Sequence, residues 1–190
     1  MKRVFSLSII LFAVFISTFS QENKSGLKKT SLYAGAQASI AAADLADTHS
    51  FGLGVNTQVA HSISPKVSLT GRVSYTYLFG KKYGNSYTSE PGGGNYNYNT
   101  SGRYKGMNDF GITAGARYNI NDNLAAGGET GICLGSSGGG ESESSLMMLF
   151  EFLYYLNGGR LTPHEQAIAA FFGLCGDPRI QIGLRYTIRL

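Results

Sequence analysis

The sequence has 190 residues with 16 basic and 12 acidic side chains, 26 glycines, 12 tyrosines, two cysteines and no tryptophan. This length suits one domain, and a small positive charge without a basic run argues against nucleic acid as a partner.

The first 20 residues have the pattern of a cleaved secretory signal. Lys2 and Arg3 precede an uncharged, mostly apolar run over 4–19, and Thr18 and Ser20 are the small residues expected before a cleavage point. The alternative is an uncleaved transmembrane helix, for which the apolar run is short. Cleavage leaves 14 basic against 12 acidic residues, so the pI near 9.0 says little about the rest of the chain.

Eight later segments alternate apolar and polar residues with a period of two, which predicts β-strands with one apolar and one polar face. The closing segment, RIQIGLRYTIRL, shows the pattern most strictly. The alanines of segment 164–175 also permit a short helix there. The predicted strands are 31–42, 51–62, 66–80, 109–120, 124–135, 145–156, 164–175 and 179–190.

The connections between these segments favour antiparallel pairing. Short turns alternate with longer loops, as in a barrel that has short turns on one side of a membrane. The last pair departs from this trend, because 157–164 is longer than 176–178. Segment 80–107, rich in Gly, Asn, Ser and Tyr, is predicted to be a low-complexity loop.

Alternation alone does not tell which face lies inside. Three features favour an apolar face turned towards lipid: the export signal, the small polar residues of the opposite face, and aromatic residues near the segment ends. Those aromatic residues are Tyr75, Tyr77, Phe79, Tyr118, Tyr154 and Tyr186. The sequence therefore predicts an all-β fold, a transmembrane antiparallel up-and-down β-barrel of eight strands. The alternative is an exported soluble barrel with an apolar interior.

The chain after the signal resembles small eight-stranded outer-membrane β-barrel proteins of the OmpA/OmpX-like type. Its end resembles that family's assembly signal at Gln181, Gly183, Tyr186 and Ile188, although Leu190 stands where the family often has Phe. The resemblance implies a place in the cell outer membrane, contact with its lipid and lipopolysaccharide, and recognition by the outer-membrane assembly machinery. The expected organisation is a signal peptide at 1–20, a short periplasmic segment at 21–30 and the barrel at 31–190.

Charged residues on the polar faces are predicted to form a plug. They are Arg72, Arg117, Glu129, Glu151 and Arg185. The interior of an eight-stranded barrel is just wide enough for side chains to fill it, so these groups would be buried there. Because buried charges need partners, Glu129 and Glu151 are expected to pair with arginines across the lumen. The alternative is that water screens the charges without specific pairs.

The long loop carries a candidate recognition surface. Its tyrosines are Tyr83, Tyr87, Tyr96, Tyr98 and Tyr104. Tyrosine offers rigid amphipathic contact area, and Ser, Gly and Asn offer adaptable hydrogen bonds. This composition predicts contact with surface glycans or proteins, and the alternative is a flexible polar loop.

Catalytic and metal-binding motifs are not recognisable in the sequence. His49, His61 and His164 fall at separate connections or strand ends, so no catalytic residue, metal ligand or cofactor is predicted. Cys133 and Cys175 lie on strands separated by a third, a distance of roughly two spacings of ~4.8 Å. This exceeds the usual reach of a disulfide, so two free thiols are expected.

The function predicted from the sequence is that of a non-catalytic outer-membrane barrel with a structural or envelope-interaction role. A component of an export or assembly machine and a surface adhesin remain as alternatives. A lipid hydrolase and a narrow channel are further alternatives that the sequence leaves open.

Overall fold

The computed structural model describes residues 30–89, 96–137, 142–156, 165–176 and 179–190. The predicted signal peptide and residues 21–29 lie outside the described residues. The strands are β1 (Thr30–Ala42), β2 (His49–Ser62), β3 (Val67–Gly80), β4 (Lys82–Ser89), β5 (Tyr96–Arg103), β6 (Met107–Asn119), β7 (Leu124–Ser137), β8 (Ser142–Tyr155), β9 (Gln166–Cys175) and β10 (Arg179–Arg189). A single turn of helix, α1 (Leu45–Thr48), links β1 to β2.

Eight strands close into one antiparallel barrel in the order β1-β10-β9-β8-β7-β6-β3-β2. Closure pairs the first strand with the last, for example Ala38 with Leu184. Every predicted strand is present in the barrel, and β9 is extended, so the helical alternative for that segment is wrong. A closed sheet leaves no unpaired edge, which is the condition for a sheet to cross hydrocarbon.

The predicted loop 80–107 is not irregular throughout, so that prediction is wrong in part. Strands β4 and β5 form a separate hairpin that projects between β3 and β6. Its pairing runs from Lys82 opposite Arg103 to Ser89 opposite Tyr96. Tyrosine and threonine, which favour strands, recur among the small polar residues here, and this gives the segment enough β-propensity to pair locally.

The two faces of the barrel strands differ as a membrane protein requires. Leu184 is 61% exposed on the outer surface, while the adjacent Arg185 is 3% exposed in the lumen. Large apolar side chains cover the outside on every barrel strand. Tyr118 and Tyr154 lie outward near strand ends, whereas the outward Tyr75 lies near the middle of β3. The structure therefore excludes the soluble barrel with an apolar interior.

The strand lengths match the thickness of a bilayer. A strand such as β3, with 14 residues, spans about 35 Å when it rises ~3.3 Å per residue and tilts by ~40°. The strand termini at Thr30 and Arg189 share one end of the barrel with the turn at 63–66. The other end carries α1 and the hairpin, and the usual arrangement of such barrels makes this end extracellular. No helix among the described residues is long and apolar enough to cross a membrane.

Candidate functional site in the lumen and at the extracellular end

The charged residues predicted from the polar faces meet in the middle of the lumen. Five different strands supply them: Arg72 from β3, Arg117 from β6, Glu129 from β7, Glu151 from β8 and Arg185 from β10. Each is at most 5% exposed. The alternation of the strands turns these side chains inward, and closure of the barrel brings them within contact distance.

Glu151 is the centre of this network. Its Oε2 lies 2.6 Å from Arg72 Nη2 and 2.8 Å from Arg185 Nη1. Its Oε1 lies 3.2 Å from Arg117 Nη2. One carboxylate thus neutralises parts of three guanidinium groups, which is how the barrel tolerates three buried cations near one another.

Glu129 has a different environment, although it also contacts an arginine. Its Oε1 lies 3.2 Å from Arg72 Nη2. Gln58 Nε2 donates to the same carboxylate at 2.8 Å, and Thr113 Oγ1 donates to its other oxygen at 2.6 Å. Glu129 is therefore held mainly by neutral donors, with a single cationic partner.

Two glutamines connect the ionic groups, and the sequence analysis did not single them out. Gln58 Oε1 accepts from Arg117 Nη2 at 2.5 Å, so this amide bridges Arg117 and Glu129. Gln37 Oε1 accepts from Arg185 Nε at 3.1 Å and its Nε2 donates to Thr76. Both glutamines have the inward parity of their strands, which was the available signal for their role.

Beneath the network, the periplasmic end of the lumen is closed by less polar side chains. Leu153 and Tyr155 pack there with Ala125, Ala167 and Ala169, and all are at most 2% exposed. A group of three polar side chains closes the same end. Tyr33 donates its hydroxyl to Glu165 Oε1 at 2.9 Å, and Arg189 Nη1 lies 3.5 Å from Glu165 Oε2. The plug thus includes an apolar layer that the sequence analysis did not predict.

Above the network, Arg179 reaches across the extracellular end of the lumen. Its Nη2 lies 3.1 Å from Glu143 Oε2, and its Nη1 lies 3.8 Å from Asp109 Oδ1. Gln181 Nε2 donates to Asp109 Oδ2 at 2.7 Å. A cavity of about 20 Å³ lies among these residues, room for about one water molecule.

Cys133 and Cys175 form a disulfide, so the expectation of free thiols is wrong. Both cysteines face the lumen, at 1% and 4% exposure, and their Cα atoms are 6.1 Å apart. The estimate of two strand spacings applies to a flat sheet. In a barrel of eight strands the sheet curves strongly, so inward residues on the two strands that flank β8 approach one another. The Cα separation then falls within disulfide range.

The residues of the predicted assembly signal have local structural roles. Gln181 lies in the lumen on Asp109, whereas Tyr186, Ile188 and Leu190 are exposed on the outer surface. A Cβ added at Gly183 would lie 2.7 Å from Cζ of Phe171, because that ring crosses the glycine from the neighbouring strand. Arg185 in turn lies over the same ring, 4.8 Å from its centroid. Recognition by assembly machinery stays a prediction.

The predicted recognition tyrosines are only partly described. Tyr83 and Tyr104 are 42% and 41% exposed, and their ring centroids are 5.0 Å apart. The side chains of Tyr87, Tyr96 and Tyr98 lie outside the described residues, although the backbone pairs Tyr87 with Tyr98. The hairpin therefore presents at least one tyrosine pair at its base, beside the barrel rim.

The described histidines lie at opposite ends of the barrel. His49 Nδ1 is 2.8 Å from Thr48 Oγ1 at the extracellular end, and His61 Nδ1 is 2.9 Å from Thr30 Oγ1 at the periplasmic end. His164 lies outside the described residues. Within the described ranges, no group of three or more His, Cys, Asp or Glu side chains is arranged to hold a metal ion.

Comparisons with solved structures find similar chains, and the match with a TM-score above 0.5 has the same fold. Neisserial surface protein A (NspA) matches with a TM-score of 0.55 and 16% identity, over 89% of this chain and 99% of that one. Ail, the attachment invasion locus protein of Yersinia pestis, matches with a TM-score of 0.49 and 17% identity, over 85% and 97% of the two chains. A designed transmembrane β-barrel matches with a TM-score of 0.46 and 12% identity, over 90% and 100%. No protein-family model and no curated protein matches the sequence.

The fold, the apolar outer surface and the filled lumen define a class of protein: this is a small eight-stranded outer-membrane β-barrel. The fold predicted from the sequence is confirmed. The likeness to NspA concerns the fold alone, and the OmpA/OmpX-like family name remains a resemblance.

Proposed function

We propose that this protein is a non-catalytic barrel with a structural and surface-interaction role, closed to ions and carrying a tyrosine-rich hairpin outside the cell. The main observation in favour of a lumen closed to ions is the position of Glu151, which contacts arginines from three other strands at once. An ion crossing the barrel would have to separate these pairs and then pass the packed layer of Leu153 and Tyr155. Both barriers favour a lumen that is plugged by side chains over one that is an open pore.

Reconstitution into a planar bilayer tests the closed lumen. We expect no steady conductance from the single barrel at moderate voltage, because the network and the apolar layer fill the cross-section. A porin inserted under the same conditions is the positive control. Insertion of this protein is checked separately by the change in gel mobility of the folded barrel on boiling. A reproducible single-channel step in its folded form would favour the narrow channel instead.

Surface recognition is the second part of the proposal, and the ordered hairpin supports it. Main-chain pairing of β4 with β5 lowers the entropy cost that a fully flexible loop would incur on binding. Tyr83 and Tyr104 are exposed and already in contact with each other. A partner would thus meet a partly preorganised surface of aromatic rings and adaptable polar groups.

Deletion of residues 83–104 tests the recognition role, because it removes Tyr83 and Tyr104 together with the paired strands of the hairpin. We expect the shortened barrel to fold and to reach the outer membrane, because the hairpin is a sheet separate from the barrel. Binding of whole cells to glycan or protein arrays should fall to the level of cells without the protein. Undiminished binding by cells that display equal amounts of the shortened barrel would count against the hairpin as the recognition element.

A further inference from the structure

The ionic network in the middle of the lumen contains more positive than negative charge. Arg72, Arg117 and Arg185 are buried there with Glu129 and Glu151, and each is at most 5% exposed. Three guanidinium groups thus face two carboxylates, which leaves one positive charge without a counter-charge. Arginine does not lose its proton in proteins, and a buried charge without a partner is strongly destabilising. A further negative charge nearby would therefore stabilise the folded barrel.

The hydrogen bonds of the network show the same shortage of acceptors. Among the described residues, Nε and Nη1 of Arg72 and Nε of Arg117 have no hydrogen-bond partner although they are buried. Arg185 donates from Nε to Gln37 and from Nη1 to Glu151, but its Nη2 has no acceptor within the described ranges. The network thus lacks acceptors as well as negative charge.

Charged residues at the two ends of the lumen do not correct the imbalance. Arg189 lies 3.5 Å from Glu165 at the periplasmic end, and these two charges offset one another. At the extracellular end, Arg179 and Asp109 do the same at 3.8 Å. Glu143 also lies near Arg179, but its side chain is 72% exposed, so water screens its charge from the network. One positive charge therefore remains uncompensated inside the barrel.

The cavity of about 20 Å³ at the extracellular end adjoins this network. Arg185 and Gln37 belong both to the network and to the wall of the cavity, and Arg179 also lines the cavity. Nη1 of Arg179 lies 3.8 Å from Asp109 Oδ1 and 3.9 Å from Met107 Sδ, so neither contact is a strong hydrogen bond. Two guanidinium groups, each with a weakly engaged donor, therefore line one small cavity.

The wall of the cavity suits a small anion. Arg179 and Arg185 outnumber Asp109 among the charged residues described in the wall. Ser74 adds a hydroxyl donor, and Gly111 leaves room because it has no side chain. A Cβ added at Gly111 would lie 2.9 Å from Ser74 Oγ. The volume has room for about one particle near the size of a water molecule and excludes large organic anions.

We propose that the lumen binds one chloride-sized anion in this cavity, with Nη2 of Arg185 and Nη1 of Arg179 as its charged donors. The anion supplies the negative charge that the network lacks, which a water molecule in the same volume does not. It reaches the site from the extracellular end, because the ion pairs of Glu151 close the lumen below. The site adds a binding function to the closed lumen and does not depend on the hairpin.

Exchange of gluconate for chloride at constant ionic strength tests the site. Gluconate is too large for the cavity, so only chloride should stabilise the folded barrel. For one site, the folding equilibrium constant should rise about tenfold for each tenfold rise in chloride above the dissociation constant. The measurement is the urea midpoint in zwitterionic micelles. Bromide soaked into crystals should give an anomalous difference peak beside Arg185.

Two variants that lower the net charge equally separate the site from general salt effects. Gln37→Glu places a carboxylate beside Arg185 Nε, so a permanent charge replaces the anion and the chloride response should disappear. Its midpoint in gluconate should be at least that of the parent. Lys66→Gln removes an exposed cation at the opposite end of the barrel and should keep the full response. Gel mobility before boiling confirms that each variant is folded.

Any one of four results would overturn the inference. They are equal midpoints in chloride and gluconate, an unchanged chloride response in Gln37→Glu, loss of the response in Lys66→Gln, and absence of bromide beside Arg185. Equal midpoints would mean that water alone occupies the cavity. In all four cases the closed barrel would stand. A steady conductance would instead count against the closed lumen and not against the bound anion.

Discussion

Replacing Glu151 with glutamine is expected to destabilise the barrel by about 3–5 kcal/mol, because three buried arginines lose their shared carboxylate. Glutamine has nearly the same shape, so the loss reflects charge and not a cavity. Its amide group would also place a donor against guanidinium groups that only donate. The measurement is the urea midpoint of the folded barrel in micelles or vesicles.

The other glutamates provide a graded series for the same measurement. Glu129→Gln should cost less, because Glu129 has one arginine partner and neutral donors. Glu143→Gln should change little, since the Glu143 side chain is 72% exposed. Adding Arg185→Gln to Glu151→Gln should recover part of the loss by removing one unpaired cation. An unchanged midpoint for Glu151→Gln would support screening of the lumen charges by water.

Sequence periodicity was sufficient to predict which residues face inward, but not at which height they lie. Arg72 and Glu151 both have inward parity, and their strands are not neighbours in the barrel. The stagger of successive strands decides which inward residues share a level, and this stagger is a property of the closed barrel. The central position of Glu151 in the network could therefore be recognised only from the three-dimensional structure.

The apolar layer below the network was missed for a related reason. Leu153, Tyr155 and Tyr33 have inward parity but are apolar or aromatic, so a search for charges passes over them. The residues of β8 are mostly apolar on both faces, and periodicity then carries no signal. A filled lumen can contain polar and apolar residues alike, provided that the polar atoms have hydrogen-bond partners.

The hairpin shows that the amino-acid composition of a segment does not by itself predict whether the segment is a loop or a pair of strands. Glycine, asparagine and serine are common in loops, yet main-chain pairing needs only alternation and a turn. Tyr83, Tyr87 and Tyr98 supplied the β-favouring residues within that composition. The recognition hypothesis changes with this correction, since a paired hairpin holds Tyr83 and Tyr104 in a defined relation to the barrel rim.

Replacing both cysteines with alanine is expected to lower the stability of the barrel by about 4 kcal/mol. The disulfide joins residues 42 positions apart, and opening it returns that loop's entropy to the unfolded chain. The bond also crosses the inner side of β8, where Cys133 pairs with Ser145 and Cys175 pairs with Met147. The double variant should therefore unfold at lower urea concentration and lose order first at the extracellular end of β7–β9.

Reductant separates the covalent contribution from that of packing. The parent barrel, unfolded in urea with reductant and compared at equilibrium, should approach the midpoint of the Cys133→Ala/Cys175→Ala variant, whereas the variant should not respond. Without reductant, the urea-unfolded parent should show no thiol that reacts with maleimide. Two reactive thiols per chain in that experiment would restore the expectation of free cysteines. That result would mean that the two cysteines on β7 and β9 are too far apart in the barrel to form a disulfide.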